Sequence, residues 1–234
     1  MPRLLLLRHG QSLWNRERRF TGWTDIDLSP QGIEEAREAG RLMKRAGITV
    51  DVAYTSRLMR AIRTLWIVLD EMDRMKIPVT KSWRLNERSY GDFEGRSLDE
   101  VEELYGTEEV RRMRRGFFHR PPSLSEKEVA RGGENRRIVP AGGPVRASES
   151  LKEVQERLLP LWQNQITADL EKGKSVLVVS HGNTIRALVK HLEEISDQDI
   201  ERVVVHTASP ILYELDGRLM PIERLDLGGN NDLL

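Results

Sequence analysis

The sequence predicts an α/β fold in three layers (α/β/α), with a mostly parallel sheet and an antiparallel edge strand. Short apolar runs of strand length alternate with longer segments whose apolar residues recur at helical spacing, which is typical of parallel strands covered by helices. Near the carboxyl end, "ILYELDGRLMPIERL" has the pattern of a hairpin that turns at Asp216-Gly217. Such a hairpin would supply the antiparallel edge.

The elements follow in chain order. Residues 4–7 form the first predicted strand, a leucine run that stops abruptly at "RHG". Ser29 and Pro30 supply the cap and first turn of a helix that runs to about residue 47. Further strands are predicted over residues 50–56, 77–83 and 175–180. Further helices are predicted over residues 57–72, 97–105, 107–116, 148–171 and 183–195, with a loop over residues 84–95.

The chain has 234 residues, a length that suits one domain. We expect a single domain over residues 1–234, with an irregular insertion or lid at about 96–147 and a mobile tail at about 227–234. The stretch from 119 to 147 carries Pro, Gly and charge without a period, which predicts irregular structure.

Composition excludes several classes of protein. Lys+Arg and Asp+Glu each number 37, so the chain lacks the net basic field of a nucleic-acid partner. The absence of cysteine excludes disulfides, thiolate nucleophiles and thiolate metal sites. Since no apolar run has the length of a signal-peptide core or a membrane span, we expect a cytoplasmic protein without membrane contact.

Two predicted strands end in nearly the same way, in "LLRHGQS" and "VVSHGNT". Each places a histidine and then a glycine at the carboxyl end of a strand, where sites form in open parallel sheets. Taken alone, either histidine would be as consistent with an ordinary residue at the end of a strand as with a functional residue. Because both occupy the same topological position, we expect His9 and His181 to meet across one hollow.

The neighbours of these histidines favour a phosphoryl group over a metal ion. Metal sites need three or four ligands, and the other three histidines lack partners at ligand spacing. Arginines are nearby instead: Arg8 adjoins His9, Arg186 lies five residues past His181, and Arg60 falls in the opening turns of a predicted helix. A guanidinium fork binds phosphoryl oxygens in pairs. No metal is expected.

Six segments together resemble the cofactor-dependent phosphoglycerate mutases of the histidine phosphatase superfamily. They are "LLRHGQSLWN", "FTGW", "YTSRLMRAIRT", "LNERSYG", "RRGF" and "SHGNTIRALVKHL". The resemblance covers residues 3–226 in unbroken order and implies a phosphoglycerate mutase-like fold. "RHG" alone would indicate only the superfamily, whereas its combination with "FTGW" and "LNERSYG" is specific to the mutase branch.

The resemblance implies an isomerase of glycolysis and gluconeogenesis that interconverts 3-phosphoglycerate and 2-phosphoglycerate, primed by 2,3-bisphosphoglycerate and independent of metal. His9 would carry the phosphoryl group, Arg8, Arg60 and His181 would surround that group, and Glu87 would act as acid and base. Substrate contacts would come from Gly10, Gln11, Ser12, Asn15, Thr21, Gly22, Arg88, Ser89, Tyr90, Arg114, Arg115, Gly182 and Asn183. It also implies a homo-oligomer, most commonly a dimer.

Departures from that pattern keep two alternatives open. Ser89 stands where histidine or aspartate is usual, and Leu98 aligns with a lysine that helps to hold the substrate's charge; Arg96 is a candidate replacement for it. The resembling mutases also extend further at the carboxyl end, over the site. These differences favour a histidine phosphatase that hydrolyses small phosphate esters or bisphosphoglycerate on the same scaffold. A non-catalytic binding protein is the second alternative.

Overall fold

Six strands form one sheet in the computed structural model, which describes residues 1–125 and 147–228. The strands are β1 (Arg3–Arg8), β2 (Val52–Thr55), β3 (Val79–Lys81), β4 (Ser175–Ser180), β5 (Ile211–Leu215) and β6 (Pro221–Asp226). Their order is β3-β2-β4-β1-β5-β6. The first four pair in parallel, and β5 and β6 add an antiparallel edge beside β1. The predicted fold class is confirmed.

Several of the described helices begin at residues whose side chains cap the helix. They are α1 (Leu13–Arg16), α2 (Pro30–Arg45), α3 (Met59–Glu71), α4 (Leu98–Tyr105), α5 (Thr107–Arg115), α6 (Leu151–Leu161), α7 (Thr167–Glu171) and α8 (Gly182–Leu192). Ser29 accepts a hydrogen bond at the start of α2, and Ser97 and Ser150 form capping boxes at the starts of α4 and α6.

The long helix predicted over residues 148–171 is interrupted. A π-helical turn over Trp162–Ile166 separates α6 from α7. Pro160 lies inside the last turn of α6 and has no backbone N–H, which is a known cause of a break in the helical ladder.

Two other predicted elements differ in extent. The strand predicted over residues 77–83 is only three residues long, because a 3₁₀ turn over Trp83–Leu85 begins where Ser82 accepts from the Arg84 amide. The hairpin turn is also wider than the two residues predicted. Asp216 donates its N–H to Met220 O and accepts from the Arg218 amide through Oδ1. The predicted irregular stretch 119–147 and tail 227–234 lie mostly outside the described residues.

Alternate side chains of β1 point to opposite faces of the sheet, as the period of a strand requires. Leu4 and Leu6 belong to a buried cluster with residues of α6 and α8, whereas Leu5 and Leu7 belong to a second cluster with residues of α2 and α3. The leucine run thus forms the centre of both halves of the core. Of the described helices, none has the length and apolar character needed to cross a bilayer.

The sharp turn after β1 depends on two glycines in backbone contact. A Cβ added to Gly10 would lie 2.1 Å from the carbonyl oxygen of Gly32, and one added to Gly32 would lie 2.0 Å from that of Gln11. The amino end of α2 therefore packs directly against the chain that leaves β1. This contact holds the segment after His9 in place.

We expect Gly32→Ala to lower the free energy of unfolding by about 2 kcal/mol, because the added methyl overpacks a backbone contact. In a free helix the same change would instead stabilise by up to about 1 kcal/mol. Gly47→Ala is a matched control: Gly47 has φ +68° and nothing within 4 Å of a Cβ, so only the strain of a left-handed residue applies. Urea unfolding measures both variants. A stabilised Gly32→Ala protein would contradict the contact.

Candidate active site

A cavity of about 360 Å³ opens beyond the carboxyl ends of β1 and β4. It is lined by twelve residues singled out in the sequence: Arg8, His9, Asn15, Thr21, Gly22, Arg60, Glu87, Tyr90, Arg114, Arg115, Gly182 and Asn183. The remaining lining residues are Arg18, Arg19, Phe20, Leu98, Arg186, Val204 and Val205. Of these seven, Arg186 and Leu98 are named individually in the sequence interpretation above, and Phe20 belongs to the segment "FTGW".

The two strand-end histidines meet at the inner end of this cavity: His9 lines it, whereas His181 is fully buried next to His9 and is not among the lining residues. β1 and β4 pair in register with Arg8 opposite Ser180, and the His9 amide donates to Ser180 O at 2.9 Å. The ring centroids of His9 and His181 lie 5.0 Å apart, at an interplanar angle of 63°. Both rings are buried.

The His9 ring has a defined tautomer. Its Nδ1 lies 2.7 Å from the carbonyl oxygen of Gly10, and since a carbonyl only accepts, Nδ1 carries the proton and Nε2 carries the lone pair. Burial, together with the charges of Arg60 and Arg8, holds the pKa of His9 well below 6.5. A neutral imidazole with a free Nε2 can act as a nucleophile at neutral pH.

The second ring, that of His181, contacts Ser56. His181 Nε2 lies 2.8 Å from Ser56 Oγ, and Nδ1 is buried without a partner among the described residues. Burial and the charge of Arg60 hold the pKa of His181 well below 6.5. If Ser56 Oγ donates to Nε2, the proton of the neutral ring lies on Nδ1.

Two guanidinium groups flank the histidines. Arg60, in the first turn of α3, is buried and donates to the carbonyl oxygens of Gly22 at 2.8 Å and Thr24 at 3.0 Å. Burial lowers the pKa of Arg60 to about 10, so it stays protonated at neutral pH. Arg8 donates to Val205 O at 2.8 Å, and its Nε is buried without a partner among the described residues.

A single carboxylate lines the cavity. Glu87 Oε1 accepts from the backbone amides of Arg88 at 2.8 Å and Asn183 at 3.3 Å. The backbone of Glu87 is held from behind by Arg157, which donates to Glu87 O at 2.9 Å and forms a buried ion pair with Glu149. These contacts give Glu87 a fixed position.

The outer part of the cavity is also cationic. Arg186 donates to Asn183 Oδ1 at 3.0 Å, and burial, reinforced by the charges of Arg115 and Arg88, lowers its pKa to about 9. In all, seven arginines and one carboxylate line the space.

Across residues 1–125 and 147–228, no group of three or more His, Asp or Glu side chains could hold a metal ion. The lining suits an oxyanion with several negative charges.

Five residues predicted to contact substrate do not line the cavity: Gly10, Gln11, Ser12, Arg88 and Ser89. Ser12 instead caps α1. Arg88 is fully buried with its guanidinium 4.6 Å from the centroid of the Tyr90 ring. The Ser89 amide donates to Glu149. The Gly10 and Gln11 amides donate to Thr64 and Glu35, so the polar contacts of these residues are with other parts of the protein.

Arg96 also does not take the place proposed for it. Its side chain donates to Asp92 O and forms an ion pair with the Asp92 carboxylate, outside the cavity lining. Leu98 does line the cavity, as do two arginines that the sequence did not single out, Arg18 and Arg19, and the Leu98 amide donates to Arg18 O at 2.8 Å. The position of Arg96 does not support its replacing a missing lysine.

The sequence profile of the Histidine phosphatase superfamily (branch 1) matches residues 4–227. Among solved structures, Bacillus stearothermophilus YhfR is 25% identical with a TM-score of 0.72, covering 97% of this chain and 96% of that one. A mycobacterial glucosyl-3-phosphoglycerate phosphatase solved with VO3 is 23% identical, with a TM-score of 0.68 and coverage of 92% and 93%. A putative alpha-ribazole-5'-P phosphatase from Escherichia coli K-12 is 22% identical, with a TM-score of 0.69 and coverage of 96% of each chain.

We expect the rings of His9 and His181 to stay neutral from pH 8 down to pH 6, because burial and the adjacent arginines lower both pKa values. An unfolded histidine gains its proton near pH ~6.5. Protonation therefore favours the unfolded state, and stability falls as the pH drops below that value. NMR of ¹⁵N-histidine-labelled protein follows both rings, with His9→Gln used for assignment. A His9 midpoint near 6.5 would contradict the electrostatic account.

Proposed function

The chain belongs to the histidine phosphatase superfamily, and we propose that it transfers the phosphoryl group of a small phosphate ester through a phosphohistidine at His9. The observation that carries the proposal is the position of His9 in the cavity lining beside Arg8 and Arg60, with the buried ring of His181 centred 5.0 Å from its own. Phosphoryl transfer needs positioning and positive charge more than elaborate covalent machinery, and this lining supplies both.

In the first step, His9 Nε2 attacks phosphorus, the N–P bond forms and the ester O–P bond breaks. Arg8, Arg60 and the Nδ1–H of His181 bind the three equatorial oxygens, where negative charge spreads in the transition state. Glu87, which enters this step as the neutral acid, gives its proton to the departing alkoxide and becomes a carboxylate. The products of this step are the free alcohol and phosphohistidine.

In the second step, Glu87 takes a proton from the incoming acceptor, whose oxygen attacks phosphorus while the N–P bond breaks. His9 then returns to its neutral state. Division into two steps lets one set of charges serve two successive transition states.

The substrate class follows from the outer part of the cavity. A simple phosphate ester would use only the charges beside His9, leaving the arginines of α5 unpaired with substrate. We therefore propose esters that carry a second anionic group, of which the phosphoglycerates are the example that the mutase-like segments suggest. Arg114 and Arg115 would bind the second group.

Hydrolysis, with water as the acceptor, is the outcome that the comparisons favour. Two of the similar solved structures are named as phosphatases. Leu98 in the lining also supports it, because an apolar side chain there binds a bisphosphorylated intermediate less strongly than a cation would.

The second candidate is a 2,3-bisphosphoglycerate-dependent phosphoglycerate mutase, in which the acceptor is a hydroxyl of the bound glycerate. The observation that favours it is the joint presence of Thr21, Gly22, Asn183 and the arginine pair of α5 in one lining, which matches the mutase-like segments of the sequence. 2,3-Bisphosphoglycerate would then prime His9.

Incubation with 3-phosphoglycerate, with and without 2,3-bisphosphoglycerate, separates these reactions. We expect ³¹P NMR to show inorganic phosphate as the main product, and His9→Gln to reduce its rate by roughly 10³-fold or more. Primer-dependent 2-phosphoglycerate with little phosphate would instead assign the mutase reaction. If neither inorganic phosphate nor 2-phosphoglycerate forms, and no other small phosphate ester is turned over, the proposed function is wrong.

We also expect activity to be unchanged by EDTA, because the charge that a metal would supply comes from arginine side chains in this cavity. The same assay, run with EDTA and then with an excess of added Mg²⁺, measures the metal dependence of product formation. Loss of activity with EDTA and its return with Mg²⁺ would show that arginines are not sufficient.

A further inference from the structure

Glu94 is a buried carboxylate that the proposed mechanism does not use. It follows a 3₁₀ turn over Gly91–Phe93 and is absent from the cavity lining. Its Oε1 accepts from the backbone amides of Trp23 at 3.2 Å and Tyr90 at 3.0 Å, and its Oε2 accepts from Thr24 Oγ1 at 3.1 Å. One carboxylate thus joins the loop of residues 22–24 to the segment that carries Glu87.

The opposite side of the same loop holds Arg60. The Arg60 guanidinium donates to Gly22 O at 2.8 Å and to Thr24 O at 3.0 Å. The loop therefore lies between two buried ionisable groups, with N–H and O–H groups directed at the carboxyl of Glu94, whose pKa burial raises to about 7, and carbonyl oxygens directed at the guanidinium of Arg60. In a poorly solvated interior, such a chain of polarised groups is stronger than its separate bonds.

Gly22 shows how closely the loop approaches the carboxylate. A Cβ on Gly22 would lie 2.0 Å from Glu94 Oε1, and Gly22 has φ +52°. A side chain at this position would push the loop away from Glu94 and strain the backbone as well. The glycine of "FTGW" thus permits the contact between the loop and the carboxylate.

We propose that Glu94 is a positioning residue, which fixes the guanidinium of Arg60 against the phosphoryl group at His9 by holding the loop of residues 22–24. The proposal rests on the proposed function, because it assigns Arg60 to the transferring group. Glu94 itself touches no reacting atom. Misplacement of a transition-state contact by about 1 Å can reduce a rate by about 10²-fold, so removal of the carboxylate lowers turnover through Arg60.

The test measures kcat/KM for p-nitrophenyl phosphate and the inhibition constant of orthovanadate, an oxyanion that binds without turnover. We expect Glu94→Ala to lower kcat/KM by about 30-fold and to raise the inhibition constant of orthovanadate by about 10-fold. Glu94→Gln keeps one acceptor oxygen and can donate its amide to Thr24 Oγ1, so it stays within about threefold of the original protein. A Glu94→Gln protein as impaired as Glu94→Ala would contradict a role that depends on hydrogen bonds.

A double-mutant cycle separates positioning from simple stabilisation. In an Arg60→Ala background, Glu94→Ala lowers kcat/KM by less than about twofold further, because the residue through which Glu94 acts is gone. An additive loss overturns the proposal. Thr24→Val, which removes only the Oε2 contact, gives a smaller loss that also disappears in the Arg60→Ala background, and it keeps the test decisive if Glu94→Ala does not fold.

Glu193→Ala is the matched control. Glu193 accepts from Tyr213 Oη and forms an ion pair with Arg224 away from the cavity, so its loss costs folded-state contacts and leaves kcat/KM within about twofold.

If the unaltered protein turns over no phosphate ester, the proposed function fails while the orthovanadate cycle still reports on Glu94. If turnover occurs and the cycle is additive, only the role of Glu94 fails.

Discussion

The parallel pairing of β1 with β4 is the interaction on which the rest of the site depends. With Arg8 opposite Ser180 and the His9 amide bonded to Ser180 O, two histidines separated by more than 170 residues of chain become neighbours. A one-residue slip in this register would turn every core leucine of β1 to the wrong face. The hydrophobic core therefore also specifies where the two imidazoles meet.

Burial gives this pair its chemistry. The same desolvation that lowers the pKa values of His9 and His181 strengthens their interaction with an incoming oxyanion. Arg60 remains charged in this environment because its pKa stays at about 10 and because two loop carbonyl oxygens accept from it. The site thus places a neutral imidazole beside buried guanidinium groups.

The sequence predicted the parts of the site that follow from local patterns. The histidines at strand ends and Arg60 in a helix's first turn follow from the positions of these elements. The resemblance supplied Glu87, which the local pattern would have placed in a surface ion pair. The short helix α1 was missed, although Ser12 and Asn15 form its capping box and provided a signal.

Other features depend on packing between distant segments, which no local pattern reveals. Arg18 and Arg19 line the cavity only because the chain folds them against it, and Arg88 is buried against Tyr90 although Glu87 and Tyr90 line the space. Glu94 lies in a segment rich in charged and turn residues, so it was indistinguishable from a solvated loop residue. Only the folded chain surrounds it with donors.

The most direct test of the account is the chemical state of His9 during turnover. Rapid quenching with a ³²P-labelled phosphate ester under alkaline conditions, which preserve phosphohistidine, followed by peptide mass spectrometry, locates the label. The account predicts a transient phosphoryl group on His9 that forms and decays at the turnover rate and is absent from His9→Gln. Turnover at the full rate with no label on His9, or with the label on another residue, would contradict it.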